Sequence, residues 1–207
     1  PPLLVVILFR WLAFRIMFGA GLIKLRGDPC WTDLTCLAYH YETQPNPGPL
    51  SPLFHAAPLW FHKLGTLFNH VVEVLAPFGV FGPRPVRGIA GALIVVFQSI
   101  LIASGNLSFL NWLTLIIGLS CFDDQLLLRV VPRGFRGSLQ TRLLALADAV
   151  PSRRRGIVSI ALVVVIACLS LNPVVNLLSS RQAMNASFEP FNLVNTYGAF
   201  GSVSRER

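Results

Sequence analysis

Residues 157–178 read IVSIALVVVIACLSLNPVVNLL and contain no charged side chain. As a helix this run would be about 33 Å long, which matches the ~30 Å hydrocarbon core of a bilayer. In lipid every backbone N–H and C=O has to find its partner inside the protein, so an apolar run of this length folds as a helix. Soluble domains carry about 25% charged residues. This 207-residue chain has 13%, too few to cover a water-facing surface. An all-α membrane protein is the expected fold class.

Four more apolar segments precede that run. Leu3–Leu25 is long enough to span and is interrupted by Arg10 and Arg15. Leu64–Phe81 carries Asn69, His70 and Glu73. Gly88–Ser104 is apolar apart from Gln98, and Leu107–Phe122 is short enough to require local thinning of the bilayer. With Pro173 expected to bend the last helix, the pattern predicts a polytopic helical bundle with about five transmembrane spans. The chain starts on Pro-Pro, without Met or the features of a signal peptide, and stops on Arg-Glu-Arg. A longer parent chain is expected.

Lysine and arginine predict the orientation. Residues 82–87 and 123–155 hold nine of them, including Arg153-Arg154-Arg155, against two in 26–63, or three with Lys24. Positive charge marks the cytoplasmic side. The expected organisation is a first span at 1–25, a lumenal loop at 26–63 and three spans with short turns at 64–122. A basic cytoplasmic loop follows at 123–156, then the fifth span at 157–178 and the start of a lumenal C-terminal region at 179–207. In a bacterium the same faces would belong to the inner membrane and periplasm. The net charge of +8 is concentrated in short inter-span segments, a topology signal and not a nucleic-acid footprint. Within the basic loop, Leu139, Leu143, Leu146 and Val150 recur at helical spacing behind a cap at Ser138. They predict an amphipathic helix, lying on the membrane or packed on the bundle.

Cys30 and Cys36 fall on the expected lumenal side, where disulfides form. A structural bridge, two free thiols and a redox pair are the readings open here, and the spacing departs from Cys-X-X-Cys. Cys121 and Cys168 lie in or beside spans and read as small hydrophobes. His40, His55, His62 and His70 show no short metal-ligand spacing, so no metal and no cofactor are expected. Arg10, Arg15, His70 and Glu73 are the costly intramembrane groups. Their readings are structural glue, with an Arg–Glu73 pair joining the first two spans, snorkelling to the interface, or the core of a membrane-embedded enzyme or transporter. A structural subunit of a larger membrane complex is a third class. Asn106 and Asn185 head N-x-S sequons, and Asn185, beyond the fifth span, is the better glycosylation candidate. Gly19-Ala20-Gly21 and Gly88…Ala92 suit close helix packing. No nucleophilic triad or phosphate-binding glycine loop is present, and no catalytic residue is assigned.

Three stretches then add a resemblance: GLIKLRGDPCWTDLTCLAYHYET at 21–43, SGNLSFLNWLT at 104–114 and NTYGAFGSVSRER at 195–207. Together they resemble the lipase maturation factor family, over nearly the whole chain. The resemblance implies a multi-pass endoplasmic-reticulum protein that is not an enzyme. Its role would be to help secreted homodimeric lipases fold and assemble, with the bilayer and client lipases as partners. A lumenal face carrying Trp31, Tyr39, Tyr41, Leu53, Phe54, Trp60 and Phe61 could then shield apolar surface on a client. The competing reading places these aromatics in the interfacial belt that seats the helices.

Overall fold

The computed structural model describes residues 2–107, 109–147 and 152–197. The first apolar run becomes α1 (Leu3–Arg26), about 36 Å long. After α1 come two short helices, α2 (Cys36–Thr43) and α3 (Ser51–His55). α4 (Leu59–His70) continues through a π-helical turn (Val71–Leu75) into α5 (Ala76–Gly79). α6 (Arg84–Ser104) is followed by α7 (Leu110–Gly118), which tightens into a 3₁₀ turn at Leu119–Cys121. α8 (Asp124–Val130), α9 (Arg133–Ala147) and α10 (Arg153–Leu178) complete the order.

Among the described residues, three helices are long and apolar enough to cross a membrane: α1, α6 and α10. The other two expected spans are present in altered form. Residues 59–79 run as one helical rod, with His62, Thr66, Asn69 and Glu73 all buried. Buried polar groups have to be satisfied by neighbours, so this face of the rod turns into the bundle while Leu64, Leu67, Leu75 and Phe78 stay exposed on the other. α7 with its 3₁₀ turn is only about 18 Å long, roughly half a crossing.

The boundaries shift where charge meets helix. α6 starts at Arg84, so Arg84 and Arg87 sit on its first turn and not in a loop, behind Pro83 and with Pro85 inside the first turn. That is where proline is tolerated in a helix. Arg153–Arg155 likewise open α10, and Pro173 is buried inside it. α9 begins at Arg133, which places Ser138 within the helix and not at its cap. None of the described α9 side chains is buried, so it is not packed on the bundle. Val150 lies outside the described residues.

The core forms where α1, the π turn, α5, α6 and α7 meet. Met17, Val72, Ala76, Val80, Ala90, Ile94, Phe97 and Cys121 are buried together there. Phe14 and Phe18 meet Phe78 at ring-centroid distances of 5.3 and 5.1 Å, both edge-on, the geometry aromatic quadrupoles favour. Two glycines let helices of this core approach closely. A Cβ on Gly21 would stand 2.8 Å from Val74 and 3.0 Å from the Glu73 backbone, and one on Gly91 would stand 2.6 Å from the Cys121 Cβ. Gly19 packs on Leu177, whereas Gly88 has nothing within 4 Å and is not a packing position.

Candidate functional site

The 27–58 segment forms a cap over one end of the bundle. Asp28 accepts from the Cys30 amide at 2.8 Å, and the Cys30 carbonyl accepts from the amides of Thr35 and Cys36. Cys30 and Cys36 are joined by a disulfide with Cα atoms 4.7 Å apart. Trp31 is enclosed with them as a small separate core, and Leu34 takes φ 59° to complete the turn. Further along, the Ser51 hydroxyl donates to the Ser104 carbonyl at 2.7 Å, and the Gln44 amide donates to Ser51 at 2.8 Å. The cap is thereby pinned to the end of α6.

Beneath the cap lies a polar cluster. The Lys24 ammonium donates to Asn69 Oδ1 at 2.8 Å and to both Glu73 oxygens at 2.7 Å. All three of its protons have acceptors. Asn69 Nδ2 donates to Glu73 at 3.1 Å, and the Lys24 Nζ lies 4.9 Å from the centre of the Trp31 ring. A second pair sits beside the first, with Asn111 Nδ2 donating to Gln98 Oε1 at 2.7 Å. Asn69, Glu73, Gln98 and Asn111 are each at most 5% exposed. Buried polar groups persist when they satisfy one another, and the π turn together with the bare Gly21 brings Glu73 up to α1.

This corrects the expected pairing. Glu73 is bound by Lys24, not by Arg10 or Arg15. The four expensive residues go to four separate places. Arg10 Nε donates to the Ser120 carbonyl at 3.1 Å, Arg15 to the Asn195 carbonyl at 3.0 Å, and His70 Nε2 meets the Trp31 carbonyl at 2.9 Å. They form no shared reaction centre. The sequence marks Asn69 and Gln98 only as polar interruptions of their spans and gives Lys24 and Asn111 no role in a site. The signal that points to Lys24 and Asn69 is the i,i+4 spacing of Asn69 and Glu73, with a lysine near the end of the neighbouring span.

The aromatic candidates divide. Trp31 is 2% and Tyr41 8% exposed, so neither offers a contact surface. Tyr41 packs against Phe54 and His62, and burial pushes its phenol above the ordinary value. Tyr39, Leu53, Trp60 and Phe61 remain exposed, the last two on the first turn of α4. His40, also in the cap, has its pKa pushed down to about 4, first by burial and then by the Lys24 charge.

The segment after α10 does not simply leave the bundle. Gln182 donates to the Gly19 carbonyl at 2.9 Å and accepts from Arg26 at 2.8 Å. Ser187 and Asn195 form an antiparallel bridge. From Arg26 to Arg15 this strap follows α1 over about 17 Å. Asn185 is exposed at the strap's surface. Among the described residues no group of three His, Cys, Asp or Glu side chains is arranged to hold a metal ion.

These features define a polytopic helical membrane protein with a disulfide-braced cap over a buried polar cluster. Residues 1–129 match the model of the lipase maturation factor transmembrane domain. Similar proteins include "Lipase maturation factor 1" of Bos taurus, 52% identical over 209 residues, covering 96% of this chain and 37% of that protein. The Mus musculus protein of the same name is 53% identical over 210 residues, covering 96% and 36%. "Lipase maturation factor 2" of Gallus gallus is 40% identical over 131 residues, covering 62% of this chain and 18% of that protein. The chain belongs to the lipase maturation factor family. It spans just over a third of the length of the first two of these relatives. No solved structure matches it.

Proposed function

We propose that this chain is the membrane part of a factor that helps secreted lipases fold and assemble as dimers in the endoplasmic reticulum, and that it catalyses no reaction. The carrying observation is the apolar surface of the cap end, where Leu53 is 70%, Leu59 53% and Trp60 63% exposed, with Phe61 beside them. A folding or dimerising lipase exposes apolar surface, and rigid aromatics on a braced platform contact it at little entropic cost. The polar core supports a non-catalytic reading, since Lys24 and Glu73 are consumed by each other and Asn69. The dispersal of Arg10, Arg15, His70 and Glu73 weighs against an enzyme or transporter built on them.

Replacing Trp60 and Phe61 by Ala removes two anchors worth on the order of 1–3 kcal/mol each at a buried contact. Co-precipitation of a co-expressed lipase by the intact protein should fall about tenfold or more while membrane abundance stays unchanged. Unchanged capture with lowered abundance would assign these side chains to the interfacial belt.

A further inference from the structure

α9 carries an apolar face that the bundle leaves bare. At about 100° per residue, Phe135, Leu139, Leu143 and Leu146 fall within an arc of about 80°, along about 17 Å of the helix. Phe135 and Leu146 are 71% and 70% exposed, with Leu139 exposed between them. Arg136 and Arg142 lie about 20° beyond the two edges of this stripe. The opposite side holds Gly134, Gly137 and Thr141, with Leu144 as its one large apolar residue. Arg129, Arg133, Arg136 and Arg142 are the only charged residues from 125 to 147. Both ends of the segment are held at the basic end of the bundle. Before it, the buried Cys121 accepts at its carbonyl from Arg87 Nε at 3.0 Å, one turn into α6. After it, six residues on from Ala147, α10 opens on the exposed Arg153-Arg154-Arg155. Arg136 donates to the carbonyls of Val131 and Arg129, which braces the corner between α8 and α9.

We propose that α9 lies flat on the bilayer at the basic end of the bundle and binds anionic phospholipids, with its apolar stripe among the upper acyl chains and its arginines on head-group phosphates. The arrangement of the charges favours a membrane over an acidic protein. An apolar stripe edged by a cation on each side matches the plane where hydrocarbon gives way to head groups. Arginine lays its stem along the apolar surface and lifts its guanidinium to the phosphates. Reach agrees, because the six steps from Ala147 to Arg153 span at most about 20 Å, so α9 stays beside the surface that α10 enters. A segment with four arginines and no carboxylate gains at a negatively charged leaflet and gains little at a zwitterionic one. Free phosphate would meet the arginines and leave the stripe in water, so the lipid as a whole is the occupant that uses both features. The assignment does not rest on the lipase-maturation reading.

The test uses the intact protein in nanodiscs, in a Cys121→Ala/Cys168→Ala background that elutes as a single species. Leu139→Cys, Leu146→Cys, Gly137→Cys and Thr141→Cys each carry a nitroxide in turn. Collisions with oxygen, which concentrates in acyl chains, are compared with collisions with a water-soluble nickel chelate. In phosphatidylcholine containing about 30% phosphatidylserine, oxygen should dominate at 139 and 146 and the nickel chelate at 137 and 141. In phosphatidylcholine alone, nickel access at 139 and 146 should rise about threefold or more. Arg133→Gln/Arg142→Gln, which keeps Arg136 and its corner, should give the same rise in the anionic discs. Free nickel access to 139 and 146 in anionic discs would place the helix in water and overturn the proposal. Shielding of both positions from oxygen and nickel alike would also overturn it, because a second copy or another protein would then cover the stripe. A contrast indifferent to phosphatidylserine and to the arginine substitutions would overturn the recognition of anionic lipid.

Discussion

Lys24→Met would leave Glu73 buried with only Asn69 for a partner. Glu73 is 5% exposed at its side chain and Lys24 20%, so the pair is only partly reached by solvent. Removing one member of a buried pair costs about 3–5 kcal/mol, and the residual access of Lys24 places this one near the lower end. For a chain of this size about 3 kcal/mol corresponds to roughly 6–12 °C in Tm. Thermal denaturation of the intact protein in mild detergent, read by fluorescence-detected size exclusion, measures it directly. Glu73→Gln should cost a similar amount by stranding the ammonium. The double variant Lys24→Met/Glu73→Leu should recover much of the loss, because it removes both charges and leaves only Asn69 to rehydrate. The coupling energy should therefore be about 2 kcal/mol or more. Additive single losses, or a Lys24→Met protein with unchanged Tm, would refute the argument that this pair holds α1 to the π turn.

Gly88→Ala and Gly91→Ala, one turn apart on α6, should diverge. The first gains up to about 1 kcal/mol of helix propensity in open space, while the second loses about 1–3 kcal/mol against Cys121. The pH dependence follows from His40, whose folded pKa of about 4 lies below the ordinary 6.5 because the ring is buried near the Lys24 charge. Between those values the unfolded chain binds the extra proton, so stability is full above pH 6.5 and falls as pH drops toward 4. The loss at pH 5 is about 2 kcal/mol, and His40→Gln should abolish it in Tm measurements at pH 7.5 and 5. Thiol blocking before denaturation should leave Cys30 and Cys36 unlabelled until reduction, and opening their loop should cost at most about 2–3 kcal/mol. Single cysteines at Pro49 and Gly137, in a background without native thiols, should label from opposite sides of the membrane, and labelling from one side would refute the orientation inferred from the arginines.

The spans were legible because composition alone decides them. A charge-free run such as 157–178 has no other stable form in lipid, and α1, α6 and α10 follow from it. What sequence could not supply is which polar side chain meets which. Arg10 and Arg15 looked like the partners of Glu73 because charge was the only criterion available. The pairing is decided by depth, and Lys24 is the cation near the end of α1 where the π turn arrives. Trp31 and Tyr41 read as surface anchors for a related reason. Aromatics in a cysteine-containing loop look alike until the fold closes, and the disulfide turn folds Trp31 inward while Phe54 and His62 cover Tyr41. Trp60 and Phe61, on α4's first turn, are exposed. The strap was illegible because two of the three hydrogen bonds described between it and α1 join a side chain to a backbone carbonyl, which leaves no pattern of residue types.

The bond between Arg15 and the carbonyl of Asn195 joins residues 180 positions apart. A ribosome adding about 5–20 residues per second needs roughly 10–40 s to make that stretch. For all that time the guanidinium of Arg15 sits in α1 without the acceptor it will finally use. Early α1 is thus a provisional membrane segment, dependent on the translocon, on water or on cytosolic-side lipid phosphates to tolerate its charge. Release of the strap completes it. A chain halted before residue 195 would carry α1, α6 and α10 and still present an unfinished cation to the bilayer, which is a mark that membrane quality control can read.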